Sequence, residues 1–215
     1  MTIKKGKIFG FIVHNGAGKT TTIKCIVGLL KYNKGEILYN NKNIQENIIE
    51  FKKQIAYIPD NPDLYEYLTG SQYLNFIADI YQINKKTRQE EITKYAKMFD
   101  IENALGGLIS SFSHGMKQKI AIISALIRHP KLLILDEPFV GLDPKATYDM
   151  KEIMHKMCAE GCSIFFSTHV LDVAEKLCDE IAIIKNGKIV ALGDTNTVKG
   201  DSSLEEVFLE LANHE

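Results

Sequence analysis

The segment that most constrains this chain is Asn15-Gly16-Ala17-Gly18-Lys19-Thr20-Thr21, because of what flanks it. Ile8 to Val13 is a short apolar run of strand character, and across residues 20–30 apolar side chains return with helical spacing at Ile23, Ile26, Val27 and Leu30. A glycine-rich turn between a strand and a helix reads as a phosphate cradle. Gly16 and Gly18 let backbone N–H groups turn inward, the helix N-terminus adds its positive end, Lys19 adds a charge, and Thr20 offers a hydroxyl to Mg2+. One position departs from the general pattern: its first glycine falls where this chain has Val13. Were that residue to need positive φ, or to lie against a phosphate, a β-branched side chain would be a misfit there, strained by about 1–3 kcal/mol. Were it only to end the strand in extended geometry, valine would suit it well.

The remainder of the chain divides by periodicity. Residues 35–44 read as a short antiparallel pair about Asn40-Asn41, and 55–58 as a buried strand, after which Pro59 and Pro62 break the pattern. From 64 to 128 the period is helical, with Tyr73, Phe76, Ile77 and Ile80, then Ile92, Tyr95, Ala96 and Phe99, then residues 120–127. Past Pro130, strands at 132–135 and 164–167 alternate with helices at 146–159 and 170–177, an order that implies parallel strands with crossover helices. Residues 181–184 and 189–192, split by Asn186-Gly187, predict a hairpin, and 204–211 a closing amphipathic helix.

Two further strands end in chemistry. Leu132-Leu133-Ile134-Leu135 delivers Asp136 and Glu137 where α/β sheets place their ligands. Successive strand residues point to opposite faces, so the two acids can divide the work: Asp136 holding Mg2+, Glu137 polarising a water beside a γ-phosphate. Ile164-Phe165-Phe166 leads into Ser167-Thr168-His169, which should reach the same sheet edge and bring His169 to that phosphate.

Composition excludes more than it assigns. Lys plus Arg number 26 against 27 Asp plus Glu, leaving no overall basic footprint for nucleic acid. No apolar run approaches the roughly 20 residues needed to cross a bilayer. Cys25, Cys158, Cys162 and Cys178 form no C-x-x-C pair, and Cys158 and Cys162 are expected one helical turn apart, so they read as buried free thiols in a reducing compartment.

With these elements placed, Phe112-Ser113-His114-Gly115-Met116-Lys117-Gln118-Lys119 resembles the L-S-G-G-Q signature of ABC transporter nucleotide-binding domains. Gly141-Leu142-Asp143 is similar to that family's D-loop, His169 to its switch histidine, and the match extends over residues 3–211. The resemblance implies a P-loop NTPase core of mostly parallel sheet, at 1–60 and 129–215, with a helical subdomain inserted at 61–128. It implies ATP and Mg2+ as ligands and a site shared by two copies, a homodimer or a paired ABC ATPase. In it, Lys19, Glu137 and His169 carry catalysis. Asn15, Gly16, Ala17, Gly18, Lys19, Thr20, Thr21, Asp60 and Asp143 bind nucleotide, and Ser113 and Gly115 reach the γ-phosphate held by the partner. Thr20, Asp136 and Asp60 would hold the metal.

His114 and Met116 replace Gly and Gln of the commonest signature, a version that resembles bacterial exporters of the drug, bacitracin or lantibiotic-resistance type. Asp60 stands where the family has its Q-loop glutamine, placing a carboxylate near the metal with altered charge. The family also carries strands and an adenine-stacking aromatic well before the phosphate loop, so the chain looks shortened at its start, with unpaired backbone expected around residues 35–44. Five of the nine tyrosines lie from Tyr57 to Tyr81. A groove of Tyr65, Tyr67 and Tyr73 receiving a permease helix, and simple packing of the lobe, are both open readings. The function implied is a transport ATPase, cytoplasmic and held at the inner face of the membrane by a separate integral-membrane permease. A catalytically impaired, regulatory nucleotide-binding subunit is the alternative, motivated by Val13, Asp60 and the short start. A soluble ABC protein of translation or DNA repair would show tandem domains, a long coiled coil or zinc-type cysteines, none of which is visible in the sequence.

Overall fold

The computed structural model describes residues 1–13 and 18–213. In chain order the elements are β1 (Ile8–Val13), α1 (Lys19–Ile26), β2 (Leu38–Tyr39), β3 (Lys42–Asn43), α2 (Ile48–Gln54), β4 (Ile55–Ile58), α3 (Gly70–Ile80), α4 (Lys85–Met98) and α5 (His114–Leu126). They continue with β5 (Leu132–Asp136), α6 (Pro144–Ala159), β6 (Ser163–Thr168), α7 (Leu171–Leu177), β7 (Glu180–Lys185), β8 (Lys188–Asp194), α8 (Thr195–Lys199) and α9 (Leu204–Asn213). The main sheet has the order β4-β5-β6-β1-β7-β8, parallel throughout except for the β7–β8 hairpin, and β2 and β3 form a separate antiparallel pair.

Why these strands read as unbroken apolar runs follows from burial on both faces. Ile8 and Ile12 of β1, Leu133 and Leu135 of β5, and Ile164 and Phe166 of β6 belong to one core, shared with α3 to α7. Phe9, Phe11 and Val13, Leu132 and Ile134, and Phe165 belong to the other, under α1 and α2. The period-two geometry of a strand sorts neighbouring residues into opposite layers. Gly10 is the gap in this scheme: a Cβ there would lie 2.5 Å from Cys178 Sγ, so the end of α7 sits against bare backbone.

The lobe between β4 and β5 shares the first core rather than building its own. Leu74 and Ala78 of α3, Ile92 and Ala96 of α4, and Ile120 and Ile123 of α5 all join it. Each of its helices starts on a side-chain cap. Thr69 and Gln72 form a reciprocal capping box on α3, Asn84 caps α4 and Ser113 caps α5.

Some boundaries differ from the periodicity. Helix α1 stops at Ile26 rather than reaching Leu30, because Gly28 turns into the left-handed region (φ 69°) and the Leu29 N–H closes back on Lys24 O at 2.8 Å. Helices α2 and α8 have no counterpart in the pattern reading. Each buries a single residue, Phe51 or Thr195, so neither carries an apolar stripe, and their starts are set by Asn47 and Asp194 caps. Cys162 lies beyond the end of α6, not a helical turn from Cys158; all four thiols are free, with Cys162 and Cys178 buried and Cys25 and Cys158 only partly so.

Candidate functional site

Parallel register brings the predicted groups to one sheet edge. Ile12 pairs with Thr168 and Asp136 with Ser167, so β1, β5 and β6 finish level with one another. Helix α1 begins at this edge with Gly18 as N-cap (φ 89°) and no side chain capping it, which leaves its first N–H groups and the exposed Thr20 and Thr21 available to an anion. Asn15, Gly16 and Ala17 lie outside the described residues. Val13 is the last residue of β1, buried and paired with Ile184, and it is absent from the positive-φ positions; the extended alternative is the one observed.

Asp136 is 1% exposed. A carboxylate so buried costs several kcal/mol unless paired. Its Oδ1 accepts from Ser167 Oγ at 2.6 Å and lies 3.2 Å from Lys19 Nζ, and its Oδ2 lies 3.5 Å from Thr20 Oγ1. Glu137 follows in the left-handed region, φ 50°, uncommon for a side chain of this size. Its N–H bonds back to Ser167 O and Oγ at 3.2 and 3.3 Å, and that bend sends its carboxylate to the same edge instead of the opposite face. There Oε1 meets Lys19 Nζ at 2.8 Å and His169 Nδ1 at 2.9 Å. Such strain, of about 1–3 kcal/mol, is typically kept where a side chain must be aimed. Burial opposes the charge on Lys19, but Glu137 and Asp136 outweigh it and raise its pKa above 10.5.

A second set of groups lies at the N-terminus of α5. Ser113 is exposed, its hydroxyl accepting from Met116 N at 3.3 Å. A Cβ on Gly115 would stand 2.4 Å from Gly141 O, so the backbone of the segment after β5 rests on the first turn of α5. Asp143 caps α6 through Ala146 N at 2.8 Å, and Lys119 donates to its other oxygen at 2.7 Å. The Lys119 ammonium first, and then the Ala146 N–H, hold the Asp143 carboxyl below its usual range. Among the described residues no hydrogen bond or ion pair joins Ser113 to Lys19, Asp136, Glu137 or His169.

A profile of the ABC transporter family matches residues 1–140. The chain belongs to that family. It is 39% identical to the ABC-type transporter ATP-binding protein EcsA of Bacillus subtilis, over 98% of this chain and 87% of that protein. With the bacitracin transport ATP-binding protein BcrA of Bacillus licheniformis it shares 38% identity over 88% of this chain and 61% of BcrA. Several other curated relatives are longer, and the chain spans 59–65% of their length. A solved ATP-binding subunit of an ABC transporter superposes with a TM-score of 0.94 at 36% identity, covering 99% of this chain and 91% of that one. Family and fold make this an ATP-binding ATPase subunit of the ABC type.

Within this ABC subunit, Lys19, Thr20, Asp136, Glu137 and His169 are brought together, whereas Ser113, Gly115 and Asp143 form a separate constellation. Asp60 is exposed in the bend after β4 and makes no ion pair with the first set among the described residues. Its influence is on Tyr57, whose pKa is pushed up to about 12 by burial, with the Asp136 and Asp60 charges adding. Two residues escaped the sequence reading. Ser167 was visible only as the end of a strand, and its role depends on the Asp136 register; Lys119 was one unremarked cation of the signature helix.

Proposed function

We propose that this ABC subunit hydrolyses ATP between two copies and thereby drives a separate membrane permease. The observation that carries the reading is the Glu137 carboxylate, held 2.8 Å from Lys19 Nζ and 2.9 Å from His169 Nδ1 beside the open N-terminus of α1. Phosphates seated on the α1 N–H groups would draw Lys19 and His169 toward their own charge. Lys19 and His169 both lie against one oxygen of Glu137, so that competition frees the carboxylate to accept a proton from the attacking water, an effect of about 10²–10⁴-fold in rate. Thr20 and Asp136 offer converging oxygens, the donor type Mg2+ takes, and the pair fits that ion. When bound, Mg2+ supplies positive charge against the β- and γ-phosphates. Asp60 joins this set only if the bend after β4 moves inward.

Support for two copies comes from Ser113 and Gly115, which sit at the N-terminus of α5 and, among the described residues, make no hydrogen bond or ion pair with the catalytic side chains of their own chain. A second subunit facing them brings that positive end to the first subunit's γ-phosphate. Among the described residues no helix is long and apolar enough to cross a membrane, so the transport pathway is assigned to a permease, with this subunit on the cytoplasmic face. For the permease contact we favour the aromatic patch in which the Tyr65 ring lies 5.9 Å from Tyr67, 6.1 Å from Tyr73 and 5.6 Å from Phe76, because Tyr65, Tyr67 and Phe76 remain exposed.

The test is Glu137→Gln, which keeps shape and removes the base. Turnover should fall by about 10²-fold or more, while ATP affinity by calorimetry is kept and light scattering shows a long-lived dimer in ATP. Hydrolysis that survives the substitution, or no ATP binding at millimolar concentration, defeats the proposal.

A further inference from the structure

The same carboxylate that starts α6 also ties it to the signature helix. Asp143 Oδ1 takes the Ala146 N–H and Asp143 Oδ2 takes Lys119 Nζ at 2.7 Å. Lys119 belongs to α5, in its second turn past Ser113, and its side chain is 14% exposed. Between these helices the chain crosses with no space left. Gly141, at φ 79°, would place a Cβ 2.5 Å from His114 Cδ2, and Gly115 would place one 2.4 Å from Gly141 O. On the other side two turn bonds close the segment that leads from the strand end to the D-loop: Val140 N–H to Glu137 O at 3.2 Å and Leu142 N–H to Phe139 O at 3.3 Å.

From this chain of contacts we infer that Lys119 is a positioning residue, locking the D-loop onto the signature helix so that nucleotide held against Ser113 and Gly115 is felt at Glu137 of the same subunit. The inference rests on the two-copy reading above. Each subunit then carries a rigid link between the half-site it lends to its partner and the base it uses itself, the physical requirement for coupling two sites. Contact between Gly115 and Gly141 alone resists compression. It does not resist separation, which the Lys119 ion pair does.

The experiment uses the full chain carrying Lys119→Met, Lys119→Arg or Asp143→Asn, with folding checked by circular dichroism. In Lys119→Met, amide exchange at Val140 and Leu142 should speed up about tenfold. The kcat should fall about tenfold and the Hill coefficient for ATP should drop toward one, with KM changed by less than about twofold. Arginine should restore most of each. Asparagine keeps the α6 cap and should reproduce the methionine phenotype, and the Lys119→Met/Asp143→Asn double variant should be no worse than either single change. Wild-type exchange and Hill coefficient in Lys119→Met would overturn the inference, as would additive losses in the double variant. Exchange is read on the isolated chain, so it decides this point even where absent turnover in the wild type has defeated the transport reading.

Discussion

The sheet edge and the signature helix face opposite problems. At the edge, Asp136 and Glu137 are 1% and 6% exposed, and folding itself supplies Lys19, Ser167 and His169 as partners. At the start of α5, Ser113 is exposed, its hydroxyl occupied only by its own helix. The contrast is one of timing. Buried charges must be paired for the chain to fold at all, whereas a helix N-terminus in water can wait for its anion. On the two-copy reading proposed above, one region is completed within the chain and the other by association.

The largest expected effect that sharpens this contrast is at Ser113. Aspartate caps a helix as well as serine does, but it sets a negative charge where a partner's phosphate should arrive. Ser113→Asp should keep the urea midpoint and the ATP affinity of the single chain, yet lose about 10²-fold or more of turnover. Mixed with a Lys19→Ala chain, it should regain turnover that neither variant shows alone, since one composite site is then intact. Turnover that stays high in Ser113→Asp would place the completed site within one chain and erase the distinction.

A smaller effect tests the edge. Ser167→Ala removes the 2.6 Å donor to Asp136 Oδ1 and one of two acceptors of the Glu137 N–H. Losing a buried hydrogen bond to a charged group should lower unfolding free energy by about 2 kcal/mol, read from urea denaturation. An unchanged midpoint would mean that Lys19 and Thr20 satisfy the acid without Ser167.

The smallest effect is alkaline. Burial works against the Lys19 charge, but Glu137 and Asp136 leave its pKa raised above 10.5, so the folded chain holds that proton after the unfolded chain has lost it. Its contribution is complete below the unfolded value and is lost as pH climbs through the folded one. Tyr57, raised to about 12 mainly by burial, acts in the same direction, because unfolded tyrosines ionise near 10 while the folded phenol remains neutral. The urea midpoint should thus decline between pH 10 and 12, and Tyr57→Phe should flatten part of that decline. A flat profile in the wild-type chain would count against both assignments.

Much of this was legible along the chain. The run Ile8 to Val13, the acids after Leu132-Leu133-Ile134-Leu135 and the polar group after Ile164-Phe165-Phe166 each announced a strand and its end, because a strand buried on both faces must be apolar at consecutive positions. Helices α2 and α8 were not legible, since one buried residue each leaves no periodic signal. That Val13 ends its strand in extended geometry was visible only in its register beside Ile184. Between the two readings left open for the tyrosines, a permease groove and packing of the lobe, the chain pattern gave no choice; in the fold their rings cluster about Tyr65.

What the sequence determined by itself is the layered α/β plan and the identity of the reactive groups, because periodicity, caps and loop chemistry act over a few neighbouring residues. Tertiary structure alone decided that Glu137 bends back to meet Lys19, 118 positions earlier, that Asp136 faces Ser167 across a strand pair, and that Lys119 reaches Asp143. Those meetings depend on strand register and on how closely two backbones can cross. Both are set by the packing of distant segments, which no local pattern encodes.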